Sequence, residues 1–358
     1  MSTVAGVRAV LPGHVHRQED ITDQLGEVVL GRHAQRSEKV ALLRRFHQAA
    51  GVRTRHLALP LDRYADLGGF GASNDVFIDE GVRLGERAVA EALNAAGLAP
   101  ADVDMIMTTS VTGIAAPSID ARLVGRLGLR TDVKRVPIFG LGCVAGAAGI
   151  ARLHDYLLGH PDDVAVLLSV ELCSLTFQAD DASTANLVAS GLFGDGAAAV
   201  VLVGERRARQ MGLEGPRVLD TRSRFYPDTD RVMGWDIGGS GFRIVLAATV
   251  ADVVKQYLGD DVQDFLADHD LKIPDVGTWV AHPGGPKVID AIVEALGLPQ
   301  DALDVTRRSL AAIGNLSSSS VLHVLEQTLA EGLPTPGTPG VLMAMGPGFC
   351  AELVLLQW

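Results

Sequence analysis

Apolar runs of strand length alternate along this chain with longer amphipathic stretches, and the alternation occurs twice in the same order. "LAPADVDMIMTTSVTGIAAPSIDARLVGRLGL" (98–129) and "LKIPDVGTWVAHPGGPKVIDAIVEALGL" (271–298) each read as a Pro/Asp turn, a buried strand, a Gly/Pro loop and an amphipathic helix closed by Leu-Gly-Leu. "FGLGCVAGAAGIARLHDYLL" (139–158) and "AAIGNLSSSSVLHVLEQTLA" (311–330) each place a glycine and a polar or reactive residue ahead of small residues and a helix. "FGDGAAAVVLVG" (193–204) and "MGPGFCAELVLL" (345–356) are Gly-x-Gly turns followed by apolar strands, and "VAVLLSVE" (164–171) pairs with "GVLMAMGPG" (340–348). The preserved order divides the chain into two similar α/β halves, roughly 1–210 and 211–358. Continuous apolar strands with helices between them need sheets covered on both faces. A helix pair packed between two such sheets predicts five layers. In this register Cys143 matches Asn315, each heading a central helix, and the strand end at Thr112 and Gly113 matches the one at His282.

Composition narrows the function. The chain has 358 residues, 47% apolar and 21% charged, which suits one large or two fused globular units with an ample core. A net charge of -12 argues against a nucleic-acid-binding surface. Cys143, Cys173 and Cys350 have neither CxxC spacing nor histidine partners, so no metal is expected, and so few cysteines fit a reducing cytoplasm. No apolar run reaches the length of a membrane span, and "MSTVAGVRAVLPGHVHRQED" lacks the pattern of a signal peptide, so a cytoplasmic protein is expected.

Chemistry enters through three residues. Cys143 heads a helix, where unpaired N–H groups and partial positive charge favour a thiolate, although a cysteine among small residues is equally a packing residue. His282, in "VAHPGGP", follows an apolar strand, a loop position that suits function or a simple surface role. Asn315, in "IGNLSSSS", reads equally as a helix cap. Two-fold related halves would bring all three towards a common axis, across an interface. An imidazole activates a thiol, and amide and imidazole N–H groups can hold an oxyanion or enolate. The papain-like proteases use the same three residue types, but their cysteine signature is absent here.

The motifs "GLGCVAGA", "GLFGDGAAAVV", "AHPGGPKVID", "GNLSSSSVL" and "GPGFCAELVLL", in this order over nearly the whole chain, resemble the type III polyketide synthases, the chalcone-synthase-like enzymes of the thiolase superfamily. The resemblance implies the α/β, five-layer αβαβα thiolase fold made of two similar halves. It implies an acyltransferase in which Cys143 takes a starter acyl group from coenzyme A as a thioester. His282 and Asn315 would bind malonyl-CoA and stabilise the enolate left by loss of carbon dioxide. Phe193 and Phe242 would be gatekeepers between the active site and the coenzyme A tunnel. Coenzyme A thioesters are substrates, no cofactor is expected, and a homodimer is implied.

Arg45 and Lys287 would contact coenzyme A. Arg44, Arg53 and Arg55, in "LLRRFHQAAGVRTRH" (42–56), offer either a cationic mouth or an ordinary solvated helix face, and Leu42 and Ala49 stand where the family often has lysine. Ala115, Ala116, Cys173, Thr176 and Met233 fall near pocket-shaping positions. The small side chains among them reward aliphatic chains by about 0.8 kcal/mol per buried CH₂, while Met233 would trim the cyclisation cavity and favour short extension. The expected product is an alkyl α-pyrone, built from a medium- or long-chain acyl-CoA and two or three malonyl units, with methylmalonyl-CoA as an alternative extender. The alternatives are alkylresorcinol or tetrahydroxynaphthalene synthesis, or ketoacyl-acyl carrier protein synthase III.

Overall fold

The computed structural model describes residues 1–30 and 36–358. Nine strands form one hydrogen-bonded series, in the spatial order Thr278–Ala281, Pro339–Gly346, Cys350–Gln357, Arg217–Phe225, Ser2–Val10, Asp195–Gly204, Val164–Leu172, Met105–Ser110 and Lys134–Phe139. The series is two sheets meeting at a corner. Across that corner the pairing is Ser2 with Val218 and Thr3 with Arg217. Moving away from it, each sheet makes two antiparallel pairings and then a parallel one. The first sheet adds the parallel strand Lys134–Phe139 at its edge.

Both faces of each sheet are buried, which is why the strands read as continuous apolar runs. Along Val164–Leu172, Val166, Leu168 and Val170 pack under the outer helix Phe70–Ala95, while Ala165 and Leu167 face the interior. In the second sheet, Val341 and Met343 meet the outer helices Val250–Ala267 and Pro286–Leu296, while Leu342 and Ala344 face the interior. The interior holds the central helices Ala145–Gly159 and Ser320–Ala330. The layers are therefore α-β-α-β-α, in two similar halves, as the repeat predicts.

The Leu-Gly-Leu closures of the two repeats are matching helix ends. Gly128 and Gly297 adopt φ of 74° and 60°, and Leu129 and Leu298 donate back to Val124 O and Val293 O. One register inferred from sequence needs correction. Counted back from the central helices, which begin at Ala145 and Ser320, Cys143 corresponds to Ser318. Asn315 lies ahead of the turn Ser317–Ser319, in an isolated bridge with Phe193.

A separate hairpin, Met233–Gly238 with Gly241–Leu246, pairs Trp235 with Ile244 and Ile237 with Phe242. It stands outside both sheets and covers the space beside the site.

Candidate active site

Cys143 sits in the tight turn Gly142–Val144 that leads into the first central helix, and it is 5% exposed. Gly142 makes the turn. Its φ is +57°, and a Cβ there would lie 2.6 Å from the Pro347 ring. The Cys143 thiol donates to Ser317 Oγ at 3.8 Å, a bridge between the two halves. Ser317 holds a left-handed φ of 49° and donates its N–H to Asn315 Oδ1 at 2.8 Å. Asn315 is buried, fixed by backbone bonds to Leu192 and Gly194, and its amide reaches Gly284 O at 3.5 Å. Gly284 lies two residues beyond His282. His282 is also buried, and its backbone N–H donates to Met343 O. Neither of its ring nitrogens has a hydrogen-bond partner among the described residues.

The three residues thus share one buried neighbourhood, connected through Ser317 and Gly284. Electrostatics inside it differ from the sequence expectation. Burial pushes the Cys143 thiol up to about 12, helped by the nearby Glu171 carboxylate and opposed by the Ser317 hydroxyl. Burial pushes His282 down to about 3. Desolvation outweighs the helix end, and both groups rest neutral. An unpartnered neutral imidazole is a free proton acceptor, so transfer from the thiol would create two charges that stabilise each other.

Glu171 went unrecognised in the sequence. Fully buried, it accepts from Ser110 Oγ (3.2 Å), Val111 N–H (3.1 Å), Thr112 Oγ1 (2.9 Å) and Ser318 Oγ (2.5 Å). Burial raises its pKa against the pull of these donors. The available signal was a carboxylate at the end of "VAVLLSVE", a stretch that is apolar but for Ser169.

A cavity of about 340 Å³ is lined by Cys173, Thr176, Phe193 and Phe242, together with Phe70 and Trp235. Phe242 packs edge-on to Phe70, with centroids 5.4 Å apart, and lies 5.9 Å from Trp235 and 6.1 Å from Phe139. The buried Gln178 amide donates to Ser240 O and Phe242 O, tying the hairpin to the body. Met233 does not line this cavity; it borders a space of about 20 Å³ beside His282. Ala115 and Ala116 line neither cavity, since Ala115 packs against the outer core of the first half and Ala116 is exposed.

Arg45, Lys287 and Arg53 are exposed, and Arg44 pairs with Asp23 at 3.1 Å. Arg55 belongs to the interior instead, 3% exposed and donating to Phe193 O at 2.8 Å. Among the described residues no cluster of three His, Cys, Asp or Glu is arranged to hold a metal ion, and no helix is long and apolar enough to cross a membrane.

Comparison with known proteins places these residues in context. The models for the N-terminal and C-terminal domains of chalcone and stilbene synthases match residues 1–206 and 218–358. The chain is 58% identical over 357 residues to the 1,3,6,8-tetrahydroxynaphthalene synthase of Streptomyces peucetius subsp. caesius, covering 100% of this chain and 93% of that protein. It is 32% identical over 365 residues to the phloroglucinol synthase of Pseudomonas fluorescens, covering 100% and 99%. The solved 1,3,6,8-tetrahydroxynaphthalene synthase of Streptomyces coelicolor A3(2) superposes with a TM-score of 0.92 at 31% identity, covering 99% of each chain.

Proposed function

Because the chain belongs to the chalcone and stilbene synthases, acyltransferases of the type III polyketide synthase class that act on coenzyme A thioesters, we propose that it condenses malonyl-CoA units alone and closes the chain into a polyhydroxylated naphthalene. The observation that carries this reading is the 58% identity, over the full chain, to a tetrahydroxynaphthalene synthase. A second relative named for an aromatic product, the phloroglucinol synthase, points the same way. The alkyl α-pyrone expected from small pocket residues has weaker support. Two of those residues, Ala115 and Ala116, lie away from the cavity, and Met233 borders the smaller space by His282.

In the proposed cycle the thiol of Cys143 passes its proton to His282 and takes an acyl group from coenzyme A, which leaves as the free thiol. The buried N–H groups of His282 and Asn315 hold the thioester carbonyl of the next malonyl-CoA. Carbon dioxide departs, and its bonding electrons form an enolate at that carbonyl. The enolate carbon attacks the acyl-Cys143 carbonyl, the C–S bond breaks, and the lengthened chain remains on coenzyme A. Reloading onto Cys143 starts the next round. Cytoplasmic residence and a homodimer belong to the same proposal.

The test is incubation of pure protein with malonyl-CoA alone, and with short, long and aromatic acyl-CoA starters, read by mass spectrometry. A naphthalene-type product from malonyl-CoA alone supports the reading. Alkyl pyrones as the main product with long starters, and nothing from malonyl-CoA alone, would restore the earlier expectation.

A further inference from the structure

A second buried carboxylate reaches the large cavity through a serine. Asp195, sealed at the start of the strand Asp195–Gly204, accepts from the backbone N–H groups of Ala58 (2.7 Å) and Ser174 (2.8 Å), which fix its two oxygens. Its third bond is to a side chain, the Ser174 hydroxyl, which donates to Oδ2 at 2.5 Å. Ser174 has one proton and gives it to the carboxylate, so the 2.5 Å contact with Tyr64 is made by the phenol proton. The Leu59 N–H donates to the same phenol oxygen at 3.3 Å. Tyr64 thus takes one of the two acceptor positions of Ser174 and leaves the other for a substrate. Ser174 and Tyr64 are partly exposed, and both line the cavity of about 340 Å³.

This hydrogen-bonded chain lies close to the nucleophile. Ser174 follows Cys173, near enough to Cys143 for the charges of the two thiols to interact, and Asp195 lies two residues beyond Phe193. Arg55 lines the same cavity. Its Nη1 holds Phe193 O, while Nε and Nη2 have no hydrogen-bond partner among the described residues, so its positive charge can stabilise an enolate. No member of the chain belongs to the bonds around Glu171. Burial raises Asp195 to about 6, opposed by the bonds from Ser174 and Ala58 and by Arg55. Near neutral pH it is therefore ionised, yet a stronger base than an ordinary carboxylate.

We propose that Ser174, backed by Asp195, is the base that closes the ring, taking a proton from a methylene between two carbonyls of the finished polyketide chain. As that C–H bond breaks, Ser174 Oγ receives the proton and passes its own to Asp195 Oδ2. The C–H electron pair forms an enolate, whose carbon bonds to a ketone carbon further along the chain. The ketone oxygen keeps the electron pair of the broken π bond and takes the proton back from Ser174 as Asp195 returns its own. No co-reactant is needed. Ser174 is the catalytic residue, and Asp195 and Tyr64 are positioning residues that act through it. This step deepens the malonyl-only reading and rests on it.

The test incubates wild type, Ser174→Ala and Ser174→Thr with malonyl-CoA alone, and reads ring product by mass spectrometry against coenzyme A released. Ser174→Ala is expected to lower ring product per coenzyme A about a hundredfold, the lower end for a lost acid–base group, with chains leaving unclosed or as lactones. Ser174→Thr, which keeps the hydroxyl, should restore most of it. In wild type the same ratio should fall as pH drops through about 6, where Asp195 takes up a proton. The groups facing Asp195 do not titrate there: Arg55 stays charged, and burial keeps Tyr64 and Cys173 neutral. Ser174→Ala should lose this step in pH. If Ser174→Ala keeps the wild-type ratio and its pH step, even with slower overall turnover, the inference falls and the proposed function stands. If wild type makes no ring product from malonyl-CoA alone, the malonyl-only reading falls and takes the inference with it. Should Ser174→Ala fail to fold, Tyr64→Phe, which removes the hydroxyl that orients Ser174, must lower the same ratio, and an unchanged ratio overturns the inference.

Discussion

Gly142→Ala probes how the nucleophile is aimed. The substitution meets two separate obstacles. The φ of +57° costs an L-residue about 1–2 kcal/mol. The new methyl would also lie 2.6 Å from Pro347 Cδ and 2.7 Å from its Cγ, on a rigid ring that cannot swing aside. Overpacking of this kind costs about 1–3 kcal/mol. The sum is about 2–5 kcal/mol. Gly128→Ala supplies the control, because Gly128 has φ of +74° and nothing within 4 Å of the added Cβ. It carries the backbone cost alone. Urea unfolding of both variants should show Gly142→Ala less stable than Gly128→Ala by about 1–3 kcal/mol. The second readout is catalytic. Relief of the clash moves the turn carrying Cys143, and a displacement of this order lowers kcat about a hundredfold. Gly128→Ala, remote from the turn, should keep its kcat. Equal destabilisation of the two variants, with kcat unchanged in both, would refute the argument that Pro347 sets the position of Cys143.

Further expectations concern the charges inside the protein. With His282 in the proposed role of proton acceptor, alkylation of Cys143 by iodoacetamide, followed by intact mass, should be about a hundredfold slower in His282→Ala near neutral pH, with a rate that still climbs beyond pH 10; an unchanged rate would show that His282 takes no proton from the thiol. Asp195 is pushed up to about 6 by burial, opposed by its hydrogen bonds from Ser174 and Ala58 and by Arg55, against an ordinary 3.8. The folded state therefore holds this proton more tightly than the unfolded one, so its contribution is present at pH 4 and lost as pH rises to about 6, a fall of about 3 kcal/mol. Asp195→Asn should remove that slope from a urea-unfolding series across the window. Asp120 is fully buried, and Arg135 Nη1 donates to it at 2.9 Å. Arg135→Leu should cost about 3 kcal/mol by urea unfolding, the lower end of the range because the arginine is partly exposed, and adding Asp120→Asn should recover part of the loss.

How far the sequence carries depends on what each residue faces. The repeat was legible because strands such as Val164–Leu172 are buried on both faces, so all positions but Ser169 and Glu171 are apolar and the run cannot be mistaken for surface. Cys143, His282 and Asn315 were legible because each interrupts a stretch of small or apolar residues. The register between Cys143 and Asn315 was not, because the second turn is a run of four serines, and only the start of the helix shows which serine matches. Arg55 read as one more charge in a basic stretch. Its burial depends on an acceptor at Phe193, 138 positions away. Trp235 was overlooked in favour of Met233, since the hairpin pairs only with itself among the described strands and spacing alone does not tell which side chain borders which space.

The thiol and the serine hydroxyl it meets are 174 positions apart in the chain, and Glu171 meets its Ser318 donor across 147. As the chain leaves the ribosome, the first sheet and the helix Ala145–Gly159 are complete well before the helix Ser320–Ala330 exists to cover them. For that interval Ile150, Leu153 and Leu157 have no mate from the second half, and Glu171 has lost a donor. The early half is thus a sticky intermediate whose protection arrives late, and loop closure over such distances is slow. Catalytic competence is then the last property to mature. In refolding experiments, recovery of activity should lag behind recovery of helical signal, and a stalled or truncated product would aggregate rather than turn over substrate at a reduced rate.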